Sequence, residues 1–306
     1  MSVLEVVEKF PCGYNKKDSA VATLYNNGEL IVRGEGDMMN YTFELPPWFK
    51  LRKKIKSVII MKGIRKIGNS AFSQLPKLTT VHLFDTVEEI GKFAFVGCPE
   101  LKKVVLPKNA DHEDAFDAHV VVENATVKKH YNNLGARKND RVWATLYSNG
   151  HLIIEGSGHM DNFKSKNKRP WHGNEEDVIF ITIKNGVTAV GSYAFKGFYM
   201  LKSVEIENAK KIGRHSFEYC KSLIDLKTNN TIEEIGMNAF TCCESLIEFS
   251  VPDAVCEIAP RIFAGCKSLK IVHIPETVTK IYKTAFSCCT SLESGIENFE
   301  KKIVVV

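Results

Sequence analysis

No apolar run in this 306-residue chain approaches the roughly 18–20 residues a helix needs to cross a bilayer, so no membrane span is expected. The first ten residues, MSVLEVVEKF, hold two glutamates and no continuous apolar core, which does not fit a secretory signal. On that ground the nine cysteines are expected as reduced thiols, and the chain is expected to be either cytoplasmic, exported by an unusual route or shorter than its natural form. Phosphate-binding glycine loops are missing too: Gly34-Glu35-Gly36 and Gly156-Ser157-Gly158 lack a third glycine and a following helix. Cys242-Cys243 and Cys288-Cys289 are adjacent, without the two-residue spacer of a zinc knuckle. Charge of one sign is not concentrated either. The 41 Lys and Arg are interspersed with 36 Asp and Glu for a net charge of +5, so a solvated mixed surface is expected and no nucleic-acid partner.

What the chain does have is a period. An aliphatic residue, usually a glycine, two variable residues, a small residue and a Phe recur as Ile67-Gly68…Ala71-Phe72, Ile90-Gly91…Ala94-Phe95, Val190-Gly191…Ala194-Phe195, Ile212-Gly213…Ser216-Phe217 and Ile235-Gly236…Ala239-Phe240. Ile258-Ala259…Ile262-Phe263 and Ile281-Tyr282…Ala285-Phe286 are weaker copies. Phe72 and Phe95 are 23 residues apart, and the later phenylalanines follow at intervals of 22, 23, 23 and 23. Six residues after each Phe stands a Leu, which opens an L-x-x-V-x-I pattern such as Leu201…Val204…Ile206. Its closing alternation has period two, so it predicts a short strand with one buried face.

L-x-x-L-x-L at a period of 20–29 is the leucine-rich-repeat signature. The fold class predicted is therefore an α/β solenoid, a leucine-rich-repeat right-handed superhelix with a parallel sheet on one face. The Ile-Gly…Ala-Phe stretch is expected to return on the other side as a short helical turn, its Phe in the core. Pro107, Pro252 and Pro275 end strands. Three residues after the Phe run Leu75, Cys98, Phe198, Cys220, Cys243, Cys266 and Cys289. A ligand or disulfide partner could not be exchanged for Leu or Phe, whereas a small buried hydrophobe could, so these cysteines predict a packing ladder.

A second unit is duplicated ahead of each array. Ala22-Thr23-Leu24-Tyr25-Asn26-Asn27-Gly28 leads to Gly34, Gly36 and Met38, and Ala144-Thr145-Leu146-Tyr147-Ser148-Asn149-Gly150 leads to Gly156, Gly158 and Met160. Pro47-Trp48 and Pro170-Trp171 follow; Gly28 to Gly150 is an offset of 122, Trp48 to Trp171 one of 123. Asn-Gly between β-type runs predicts hairpins at 20–33 and 143–155, with positive φ at both turn positions. An open solenoid end exposes core and strand edge, so hairpin plus Trp is the expected N-terminal cap. Phe116…Val122 and Phe299…Val305 are the expected C-terminal caps, and 131–140, YNNLGARKND, the linker. Two tandem modules follow, residues 1–135 and 136–306, with a sheet edge near Val306 as a self-association point.

The Ile-Gly-x-x-Ala-Phe-x-x-Cys-x-x-Leu-x-x-Val-x-Ile-Pro pattern resembles the BspA-type leucine-rich repeats, as in Val187 to Phe195 and Cys266 to Pro275. The hairpin with Asn-Gly, Gly-x-Gly-x-Met and Pro-Trp resembles the unit that often precedes them. Together they cover the chain from about residue 18 to residue 292. The resemblance implies a surface or secreted protein of a bacterium or parasitic protist that adheres to host proteins or cells. It implies no catalytic residues and no cofactor.

Candidate chemistry outside the repeats is thin. Asp111-His112-Glu113-Asp114 packs its ligands too closely to face one ion and reads as a solvated loop, as does the basic run Lys164, Lys166, Lys168 and Arg169. The expected partner surface is the outward strand face. Before each central Val it runs Ser57, Thr80, Lys103, Phe180, Ser203, Asp225, Glu248 and Ile271; after it, Ile59, His82, Val105, Thr182, Glu205, Lys227, Ser250 and His273. The function expected is non-enzymatic binding of a host or cell-surface protein through that face. The alternatives are an intracellular protein–protein scaffold and, as an outsider, a thiol-dependent enzyme.

Overall fold

The structure is a computed structural model that describes residues 3–42, 45–164 and 169–292. It divides into two compact units, Leu4–Thr126 and the chain from Val127 onward.

In the first unit β1 (Val6–Pro11), β2 (Val21–Tyr25) and β3 (Glu29–Arg33) form an antiparallel cap. From β3 the pairing turns parallel. Glu29–Arg33 pairs with β5 (Ser57–Ile60), and β5 with β7 (Thr80–Leu83), Val58 lying opposite Val81. β9 (Lys103–Leu106) and β10 (Val121–Asn124) continue as a parallel pair. A second ladder joins β4 (Gly36–Asp37), β6 (Ile64–Ile67) and β8 (Glu89–Ile90).

The second unit repeats this plan. β11 (Val127–Tyr131) and β12 (Arg141–Tyr147) pair antiparallel, and β12 pairs with β13 (His151–His159). The main ladder runs from β13 through β14 (Phe180–Ile183) and β16 (Ser203–Ile206) to β18 (Asp225–Thr228), and resumes as β20 (Glu248–Ser250) with β22 (Ile271–His273). The second ladder joins β13, β15 (Val187–Val190), β17 (Lys211–Ile212) and β19 (Glu234–Ile235), then β21 (Glu257–Ile258) with β23 (Lys280–Ile281).

Several expectations are corrected. The fold is not α/β: among the described residues the only helices are the 3-10 turns Pro47–Lys54 and Glu175–Asp177. The Ile-Gly…Ala-Phe stretch is a train of tight turns, with Ala71 N donating to Gly68 O at 3.2 Å and Leu78 N to Leu75 O at 3.2 Å. The amides a helix would use within itself bond to the next coil instead: Phe72 N donates to Ala94 O at 2.8 Å and Phe240 N to Ile262 O at 2.9 Å. Residues 131–140 are not a linker. Tyr131 pairs with Ala144, Leu134 is buried, and Gly135 bridges Met160 as Gly13 bridges Met38. The hairpin turn has positive φ only at Gly28 and Gly150, not at the asparagines, and each Gly N donates back three residues to Tyr25 O or Tyr147 O, which is a type I turn closed by a glycine bulge. Phe116 stacks on Phe95 at 5.2 Å and opens one more coil rather than a separate cap. Phe299…Val305 and the edge at Val306 lie outside the described residues.

The interior of each unit is an aromatic column started by a Trp. Trp48 stacks on Phe72 at 5.5 Å and Phe72 on Phe95 at 5.3 Å. Trp171 stacks on Phe195 at 5.0 Å, and Phe195, Phe217, Phe240, Phe263 and Phe286 follow at 5.2–5.6 Å. Each indole N–H donates to the carbonyl before that first Phe, Ala71 O at 2.9 Å or Ala194 O at 2.7 Å, so the one polar atom of the cap ring is satisfied in a dry site.

Two glycines of one turn train carry opposite requirements. Gly191 has ordinary φ, but a Cβ there would sit 1.8 Å from Asp161 O. Gly197 has φ +79, and a Cβ there would meet only the Tyr199 ring, at ordinary contact distances of 3.6–4.0 Å. Gly191→Ala is therefore expected to cost about 1–3 kcal/mol through forced backbone movement, and Gly197→Ala about 1 kcal/mol through the left-handed conformation alone. Urea unfolding of the two variants checks the order.

Candidate functional site

The parallel register lines the outward residues into two columns. Phe180 lies opposite Ser203, and Ser203 opposite Asp225; Thr182 lies opposite Glu205, and Glu205 opposite Lys227. Glu248 pairs with Ile271 and Ser250 with His273. In the first unit Thr80 pairs with Ser57 and His82 with Ile59, while Lys103 stands opposite Val121.

Exposure is uneven along these columns. Phe180, Thr182 and Ser203 are buried, with His151 packed edge-on to Phe180 and its Nε2 2.9 Å from Thr182 Oγ1. Ser203 Oγ lies 3.2 Å from Asp225 Oδ2. Thr80, His82, Glu205 and Asp225 are half-buried. Lys103, Lys227, Glu248, Ser250, Ile271 and His273 are exposed. Lys103 pairs with Glu123 at 2.8 Å, and His273 Nε2 lies 2.8 Å from Glu248 Oε1. Period-two alternation identifies the outward side of a strand but not whether something covers it.

Cys98, Cys220, Cys243 and Cys266 are buried, as the exchange of the column for Leu75 and Phe198 predicts, and Cys289 at its end is half-buried; the column has a second property that spacing alone did not disclose. Each thiol donates to the Phe carbonyl of the preceding coil: Cys98 Sγ to Phe72 O at 3.3 Å, Cys220 to Phe195 O at 3.2 Å, Cys243 to Phe217 O at 3.3 Å, Cys266 to Phe240 O at 3.2 Å, Cys289 to Phe263 O at 3.1 Å. Leu75 and Phe198 stand in the first coil of each array, where no Phe coil precedes. Burial pushes the Cys220 thiol up to about 12 and those of Cys98 and Cys289 to about 11, with Cys243 and Cys266 also raised well above the ordinary value. A thiol held protonated is a poor nucleophile. Alkylation of the native protein at pH 7.5 is expected to modify the exposed Cys256 and Cys288 quickly, the half-buried Cys289 slowly and the four buried ladder cysteines only on unfolding, as peptide mapping by mass spectrometry would read.

Side chains of both polar clusters are engaged in ion pairs. Glu113 and Asp114 both reach Lys92, at 3.3 and 3.6 Å, while Asp111 is hydrogen-bonded through its backbone to Glu88 and Ile90. The basic run is corrected at one end: Arg169 is buried, its Nη2 3.3 Å from the buried Glu175 and its Nη1 donating to Lys196 O. Lys166 and Lys168 lie outside the described residues. Among the described residues no helix is long and apolar enough to cross a membrane.

Comparison with known proteins agrees with this architecture. The pattern of the BspA type leucine rich repeat region matches residues 47–137 and 173–293 with six copies, more than half of the chain. Among solved structures, the chain is similar to a leucine rich cell surface protein of Faecalibacterium prausnitzii, at 24% identity and a TM-score of 0.38, over 82% of this chain and 63% of that one. It thus spans less than two thirds of that protein. A leucine-rich repeat protein of Bacteroides ovatus is 17% identical with a TM-score of 0.35, covering 100% of this chain and 99% of that one. The pneumococcal vaccine antigen PcpA is 15% identical with a TM-score of 0.35, covering 100% and 98%. No curated protein matches the chain. With its repeats, its stacked Phe column and more than half its length matched, the chain belongs to the BspA-type leucine-rich-repeat family.

Proposed function

We propose that this protein is a non-enzymatic binding module of a cell surface, engaging a host or cell-surface protein through the exposed part of its strand face. The observation that carries the reading is the run of outward side chains on three successive rungs, Asp225 and Lys227, Glu248 and Ser250, Ile271 and His273. It combines both charges, a histidine and an exposed Ile on successive coils, the last two of them paired in parallel, the mixture from which a specific protein interface is made. Lys103, Thr80 and His82 offer a similar row on the first unit. Phe180, Thr182 and Ser203, being buried, are left out of the proposed surface.

The test pairs location with binding. Intact-cell biotinylation is expected to label the protein without lysis, and the purified chain is expected to retain a protein from an extracellular-matrix extract. Ile271→Asp with Lys227→Glu, both at exposed positions, should lower that retention at least tenfold without moving the melting temperature. Labelling only after lysis, or retention unaffected by the double substitution, would count against the reading.

A further inference from the structure

On the turn side of the first two coils of the second unit lies a cleft of about 230 Å³, lined by Tyr193, Tyr199, Tyr219, Lys164, Lys196 and Arg169 together with Gly197. Tyr199 and Tyr219 are 46% and 39% exposed, although large aromatic side chains in this protein are otherwise mostly buried. Lys196 is held in place: its ammonium lies 2.6 Å from Glu218, and 5.8 and 5.6 Å from the ring centres of Tyr193 and Tyr219. Tyr193 in turn is fixed by stacking on His215 at 4.5 Å and 7°. The cleft is thus a set of oriented phenol faces and ammonium groups around a recess that a side chain at residue 197 would narrow.

The duplication supplies an internal control. The positions of Tyr193, Lys196, Gly197, Tyr199 and Tyr219 relative to their coil phenylalanines are occupied in the first unit by Ser70, Ser73, Gln74, Pro76 and Gly97. The same coil geometry forms there with none of these side chains, so the fold does not require them. Tyr219 has φ +62, at a left-handed position that Gly97, Gly197 and Gly265 fill in three coils and Gln74, Cys242 and Cys288 in three others.

We propose that this cleft is a second binding site, for one ring of an acidic glycan: a pyranose bearing a carboxylate or sulfate. Among the described residues no carboxylate lines it; Lys196 and Arg169 are each paired with a carboxylate behind the wall, Glu218 and Glu175, but with Lys164 the cations still outnumber the acids, and three phenol hydroxyls join them, so its occupant is anionic and rich in hydrogen-bond acceptors. A bare anion would use the cations but leave the aromatic walls idle. A purely apolar group would bury the hydroxyls without partners. A hydroxylated ring presents a flat C–H face to the phenols and oxygens to their rims.

The full chain is titrated calorimetrically with a heparin-derived tetrasaccharide, a hyaluronan-derived tetrasaccharide, neutral chitotetraose and a poly-glutamate peptide. One or both acidic tetrasaccharides are expected to bind at least tenfold more tightly than chitotetraose and the peptide; which of them binds tells sulfate from carboxylate. Tyr219→Gly should weaken that binding about tenfold with an unchanged or raised melting temperature, because it removes a wall and relieves the left-handed strain. Lys164→Gln should weaken it, and Lys138→Gln, an exposed lysine outside the cleft, should not. The proposal is overturned by any of four results: no acidic tetrasaccharide binds, poly-glutamate binds as tightly, Tyr219→Gly leaves binding unchanged, or Lys138→Gln weakens it as much as Lys164→Gln. None of these outcomes depends on the strand face.

Discussion

Phe240→Ala is expected to cost about 3–5 kcal/mol of stability, the upper range for truncating a core residue. Phe240 has no exposed surface, stacks 5.6 Å from Phe217 on one side and 5.6 Å from Phe263 on the other, and meets Phe249 at 5.8 Å. The neighbouring rings cannot close the cavity, because their coils are tied by Phe217 N to Ala239 O at 2.9 Å and Phe240 N to Ile262 O at 2.9 Å. A void that cannot collapse loses both the transfer free energy and the dispersion contacts of its lining. Phe286, half-buried and the last described ring of the column, should cost clearly less when truncated. Urea unfolding followed by circular dichroism gives both numbers, and a Phe240→Ala protein as stable as the native one would remove the stacked column as the source of the fold's stability.

That column was legible because stacking forces every coil to place the same kind of side chain at the same height. The Phe positions, the Leu six residues on and the Trp that starts each column could all be read from spacing. The turn train could not. One of its left-handed positions is filled by Ser70, Phe93, Tyr193, His215, Asn238 and Arg261, with no glycine to announce it, and the other by glycine in only some coils, Gly97, Gly197 and Gly265, against Gln74, Tyr219, Cys242 and Cys288. The third strand of each cap was missed because β1 and β11 share little sequence. The available signal was Gly13 with Asp18 and Gly135 with Asp140, repeated at the offset of 122 that also separates Gly28 from Gly150. A Cβ on Gly13 or Gly135 would lie 2.2 or 2.3 Å from the carbonyl of that Asp.

The candidate face was half legible for a related reason. Alternation placed Phe180, Thr182 and Ser203 on the outward face, and the register does set Phe180 opposite Ser203 and Thr182 opposite Glu205, but all three are buried. Accessibility is a property of what packs over a strand, and a pattern within the strand carries no record of it. The Tyr193–Tyr199–Tyr219 cleft was missed for the opposite reason: its residues vary from coil to coil, and a search for periodicity discards what does not repeat.

Arg169→Ala should be the second large loss, about 3–5 kcal/mol near neutral pH, the range for breaking a buried ion pair by removing one partner. Arg169 and Glu175 are 4% and 7% exposed, and the guanidinium also donates to Lys196 O. Burial alone would raise the Glu175 carboxyl. The backbone N–H groups of Glu175 and Gly173, His172 and the Arg169 charge together outweigh it and hold the group below its ordinary value of 4.5. A depressed carboxylate contributes stability that is present above the unfolded value and lost as pH falls through the lower folded one. Native protein should therefore weaken below about pH 4.5 partly through this group. In Arg169→Ala the sign reverses. With its counter-charge gone, a lone buried carboxylate is relieved by taking up a proton, so the gap between variant and native stability should narrow between pH 7 and pH 4. Adding Glu175→Gln to Arg169→Ala should recover part of the loss at pH 7 and flatten the pH dependence. A gap that stays constant across that range, with no recovery in the double variant, would mean that Arg169 matters through its packing and its bond to Lys196 rather than through its charge.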